Sequence, residues 1–152
     1  MNFKEEKSLH EDDEDEEDRS INKIDIYMKL LNKSHLQHIW NHVLKDFCAE
    51  DISNFKRFMV LKSVVHDFNA SILSPTARID AVWHHLLLCP KKYLTLCTSL
   101  NLPFLDKYEM VQHCIIIDHN PNGGSEVQQE RRLENTYQLF QQYYQINLEY
   151  EE

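Results

Sequence analysis

Glycine occurs only twice in this chain of 152 residues, and the two stand side by side as Gly123 and Gly124. Barrels and sandwiches turn tightly many times, and the tightest turns need glycine at positive φ. A chain so poor in glycine is therefore predicted to be all-α or nearly so, and it has no glycine-rich loop to cradle a phosphate. Helices need a core to pack on. The hydrophobic fraction of 42%, with seven Phe, seven Tyr and two Trp, supplies enough for one domain. The expected architecture is a single compact domain of five or six helices over residues 20–150, behind a disordered acidic tail over 1–19.

The tail follows from charge. Residues 1–19 hold ten acidic and three basic residues and end in the unbroken run from Glu11 to Asp18. Like charges repel, and little apolar surface is present to offset chain entropy. A solubilising role is the simpler reading of the run, and attraction of basic partners the alternative. The remaining fifteen acidic and thirteen basic residues leave the folded part nearly neutral. No basic face suited to a nucleic-acid backbone stands out. No apolar stretch approaches a secretory leader or the roughly 18–20 residues that span a bilayer. With reduced cysteines expected at Cys48, Cys89, Cys97 and Cys114, the chain reads as cytoplasmic or nuclear.

Apolar spacing places the helices. Ile24, Ile26, Tyr27, Leu30 and Leu31 fit a first, short one over Ile21 to Leu31. Ser34 is a candidate N-cap for a second, carrying Leu36, Ile39, Trp40, Val43, Leu44 and Phe47. Asp51 is a candidate cap for a third, apolar nearly all round through Phe68 and therefore central. Ser74-Pro75-Thr76 is a boundary, since Pro75 disfavours helix at the preceding residue and suits a first turn. One helix should run from there to about Cys89, and Pro90 should open the next, through about Leu100. Tyr108–Ile117 is ambiguous between helix and a short buried strand or extended segment, the latter because Ile115, Ile116 and Ile117 are β-branched. Asn120 to Gly124 is a turn, and Ser125 caps a last helix with Val127, Leu133, Tyr137, Phe140 and Tyr144 inward.

The most informative stretch is Ile79-Asp80-Ala81-Val82-Trp83-His84. On a helix Asp80 and His84 are one turn apart and meet on one face, beside an apolar stripe. Such a pair can be a hydrogen bond that orients the imidazole, a pair of metal ligands, or the orienting pair of a catalytic base. A hairpin bent at Pro90 would bring Cys97 to that face, and His119 could complete a tetrahedral set. Asp80, His84, Cys97 and His119 are thus the candidate metal ligands, with zinc the candidate ion, aimed inward at one spot. The spacing lacks the paired Cys-x-x-Cys of strong zinc signatures.

Those residues carry a resemblance. Ser74-Pro75-Thr76, Ile79-Asp80, Val82-Trp83-His84, Tyr93, Cys97 and His119-x-Pro121 resemble the core of the glycine-rich domain-containing proteins. The run Glu130 to Tyr137 is similar to the arginine- and tyrosine-bearing helix that closes that domain. The similarity covers about residues 35–147 and implies a helical domain without assigning a reaction. This chain has Leu86 where the family's second motif histidine stands, Asp118 in place of a second histidine before Pro121, and no glycine-rich tail. His85 points about 100° from His84 and is a poor substitute.

Other groups have plainer readings. His35, His38 and His42 near Trp40 read as a solvated face. Cys114 reads as a buried small hydrophobe, and Tyr143 and Tyr150 as surface groups suited to protein contacts. Arg131 and Arg132 read as solvent-facing cations balancing Glu130 and Glu134, with inward pairing to Asp80 or Asp118 the alternative. The expected function is a non-enzymatic module that binds another protein, its core organised by the Asp/His/Cys/His cluster. The alternative is a hydrolase using a metal-bound water held by the same residues. A structural site should be closed, and a catalytic one open.

Overall fold

A computed structural model describes residues 3–101, 116–120 and 123–148. It is all-α, with no strand among the described residues. Five α-helices follow in order: α1 Phe3–Leu31, α2 Ala49–Val64, α3 Ala77–Leu87, α4 Pro90–Asn101 and α5 Glu126–Tyr144. Most of the ambiguous stretch, residues 108–115 with Cys114, lies outside the described residues, as does Tyr150.

Helix α2 is the hub and packs against the other four. Phe55, Phe58, Met59, Val60 and Leu61 are fully buried on it, as expected of a helix apolar nearly all round. Lys62 and Ser63 are buried there too. Helix α1 leads from the acidic segment into the body of the fold: Glu16, Asp18 and Arg19 are exposed, and the first buried side chain described on it is Ile24.

The helix expected to begin at Ser34 is instead a 3₁₀ turn, Ser34–Leu36, followed by a π turn, Ile39–Val43. Ser34 sits inside the first turn and does not cap it. The Leu44 amide reaches back five residues to the Ile39 carbonyl. Trp40 Nε1 donates to the Leu31 carbonyl at 2.8 Å, capping the end of α1 while Leu36, Ile39, Trp40 and Leu44 enter the core. Asp51 is likewise no cap. Cys48 holds that position, and Glu50 and Asp51 lie in the first turn of α2, where the helix dipole favours negative charge.

Helix α2 stops at Val64, short of the predicted Phe68, because Asp67 reorganises the chain after it. Its buried carboxylate accepts from the amides of Ser71, Ile72 and Leu73 at 2.7–2.9 Å. It also pairs with Lys62 Nζ at 2.9 Å, with both side chains wholly buried. His66 and Ala70 take positive φ within this loop. The loop delivers Thr76 as the N-cap of α3, its hydroxyl accepting from the Ile79 amide.

Ser125 caps α5 as expected, in a reciprocal capping box with Gln128, and Gly124 precedes it at φ 82°. The buried stripe of α5 is Arg132, Thr136 and Phe140, spaced by four. Val127, expected inward, is exposed. The stripe shifts because Thr136 Oγ1 donates to the Ser74 carbonyl at 2.7 Å, fixing that face of α5 on the loop before α3.

Burial raises the phenol pKa of Tyr27, Tyr93 and Tyr144 above the ordinary 10.0, aided at Tyr93 by Cys97 and opposed at Tyr144 by Arg57. A phenol whose folded pKa is raised holds its full stabilisation below the unfolded value and loses it as pH climbs past that value. These phenols should therefore leave the unfolding free energy from urea titrations unchanged up to about pH 9.5. Above pH 10 it should fall by up to about 1.4 kcal/mol per pH unit for each of these tyrosines. A profile still level at pH 11 would contradict this.

Candidate metal centre

Helix α3 buries Ile79, Val82, Trp83 and Leu86 against α2 and α4. Asp80 and His84 flank that stripe one turn apart, at the rim of the core. The third member, His119, arrives on the irregular segment 116–120. Two long-range bonds place that segment. The Tyr93 hydroxyl of α4 donates to the Ile117 carbonyl, and the Asp118 amide donates to the Phe68 carbonyl at 2.8 Å. Tyr93 is itself held by Trp83, whose Nε1 donates to its oxygen at 3.1 Å. Trp83 then serves as a wall for the His119 ring, the two meeting edge-on with centroids 4.6 Å apart.

In this frame His119 Nε2 donates to Asp80 Oδ1 at 2.5 Å, and His84 Nε2 stands 3.8 Å from Asp80 Oδ2. The two imidazoles cross nearly at right angles at 4.6 Å. One ligand atom from each residue lies within 4.8 Å of the others, and no second such trio of metal-ligating side chains occurs among the described residues. Ligands about 2.0–2.2 Å from a tetrahedral zinc ion stand roughly 3.3 Å apart, so these separations bracket the spacing the ion needs. Two imidazole nitrogens and one carboxylate oxygen also form a donor set that zinc and related divalent ions accept.

The centre differs from the expected one in two respects. It does not face inward: the His84 side chain is 65% exposed, Asp80 28% and His119 12%. It also omits Cys97, which is fully buried in the core one turn beyond Tyr93 on α4. The helical hairpin at Pro90 does form, but Tyr93 occupies the side that reaches the 117–119 segment, and Cys97 packs behind it. His85 turns away, as its angle requires, and meets Phe47 edge-on.

Three features correct or escaped the sequence reading. Arg132, expected to face solvent, is buried, and it donates to the carbonyls of Ala70, Gly123 and Asn120, where the inward alternative had an aspartate as its partner. Lys62 lies over the Trp83 ring at 5.4 Å and the Phe58 ring at 5.5 Å, placing the buried Lys62–Asp67 pair behind the centre's wall. Burial pushes the Lys62 ammonium pKa down and Asp67 counters it. The third is the clamp from Trp83 through Tyr93 to Ile117. The histidines at 35–42 form no comparable site. His35 is bonded to Ser99 at 2.9 Å, and Lys92 beside His38 lowers its pKa, which disfavours a cation there.

No family profile, curated protein or solved structure matches this chain. The functional reading therefore rests on the geometry of the site. No helix among the described residues is long and apolar enough to cross a membrane.

Proposed function

We propose that the protein is a metal-binding helical module in which Asp80, His84 and His119 hold one zinc-type divalent ion. The observation that carries this is the convergence of two imidazoles and a carboxylate, from elements far apart in sequence, within 4.8 Å at a half-open rim. Three protein ligands leave a coordination position for a fourth, and the exposure of His84 turns that position outward. We take its occupant to be a side chain of another protein, which keeps the module non-enzymatic. Metal-dependent hydrolysis is the second reading, favoured by the same outward position, since a purely structural zinc site is usually closed by four protein ligands. The likeness to the glycine-rich domain-containing proteins fits either use.

Calorimetric titration of the metal-stripped full chain with zinc tests the proposal. One ion should bind per chain, and His119→Ala and His84→Ala should each weaken binding at least tenfold with the helical circular dichroism unchanged. Weak binding of uncertain stoichiometry, equal in wild type and both variants, would defeat it. If the site exists, turnover of an activated phosphodiester by the zinc-loaded chain, lost in His119→Ala, would favour the hydrolase.

A further inference from the structure

Asn120, Gly123 and Gly124, the bend at Ala70 and Ser71, and the first half of α5 line a half-open cavity of about 410 Å³. Small-molecule sites commonly measure roughly 300–1,000 Å³. Ser71, Asn120, Gln128 and Asn135 line it with hydroxyl and amide groups, Arg131 and Arg132 add positive charge, and no carboxylate faces it among the described residues. In a folded part that is nearly neutral overall this is a local positive patch.

The two arginines do different work. Arg132 belongs to the wall: it donates to the Ala70 carbonyl at 2.6 Å and to the Gly123 carbonyl at 2.5 Å, tying the two sides of the cavity together. Arg131 is exposed and forms no ion pair with a described residue, although Glu130 and Glu134 are close in sequence. Its guanidinium is therefore available to an oxyanion, which it can engage through two parallel hydrogen bonds. We infer that this cavity binds a small molecule bearing a carboxylate or phosphate group, with Arg131 holding the anion and the surrounding amides the rest. The inference does not depend on the metal centre.

The test is an NMR titration of the isotope-labelled full chain with inorganic phosphate and, separately, acetate at constant ionic strength. Saturable shifts should appear at the amides of Ser71, Gly124, Gln128 and Asn135. They should weaken at least fivefold in Arg131→Gln and persist in His84→Ala. Arg131 is exposed, so its variant should melt with the wild type. Saturation by phosphate alone assigns phosphate-bearing ligands, and by acetate alone carboxylates. If neither anion saturates these amides, or if Arg131→Gln responds like the wild type, the inference fails.

Discussion

Asp67→Ala should destabilise the protein by about 3–5 kcal/mol, the usual cost of removing one partner from a buried ion pair. The change leaves the Lys62 ammonium buried without its counter-ion. It also deprives the amides of Ser71, Ile72 and Leu73 of their shared acceptor, at about 1–3 kcal/mol for each left unsatisfied, partly offset as the loop relaxes toward water. Asp67→Asn keeps one amide oxygen as an acceptor and should cost less. Lys62→Met in the Asp67→Asn background should cost less again than in the wild type, because the charges then no longer need each other. Urea denaturation of the wild type, Asp67→Asn, Lys62→Met and the double variant measures this coupling, with Asp67→Ala measured beside them. A loss below 1 kcal/mol in Asp67→Ala would show that the pair does not hold the loop.

Tyr93→Phe should cost about 2–4 kcal/mol, since one lost hydroxyl orphans both the Ile117 carbonyl and Trp83 Nε1. The consequence is local as well as global. Ile117 is two residues from His119, so releasing its carbonyl loosens the segment that completes the trio. Hydrogen exchange at the Asp118 amide, bonded to Phe68, should quicken beyond what the global loss of stability explains. Zinc affinity, where measured, should fall by about tenfold, the lower end of what residues supporting a metal ligand contribute. Unchanged exchange at Asp118 would remove Tyr93 from the positioning of His119.

How much of this was legible beforehand depended on range. The cap at Ser125 and the meeting of Asp80 with His84 are settled within four residues, and patterns of that length can be read from a sequence; at the boundary after Ser74 the cap is Thr76, and Pro75 lies outside the helix whose first turn it was expected to open. Ser34 and Asp51 mislead for a related reason: both are good caps by chemistry, but Trp40 and the core decide where each helix begins. Nothing local marks Arg132 as the inward member of an adjacent pair of arginines. Its acceptors, Ala70 and Gly123, stand 62 and 9 residues away.

By itself, then, the sequence determined an all-α chain, the helices near the site and one half of the candidate centre. Scarce glycine, 3.6-residue periodicity and capping chemistry act over a single turn or two and need no partner. Tertiary structure decided the other half. It brought His119 to Asp80 across 39 residues, sent Cys97 into the core and set His84 at the rim. Which side chains meet at such distances is fixed by how helices pack around α2 and where Tyr93 and Asp67 pin the intervening chain, and no pattern of neighbours along the sequence encodes that geometry.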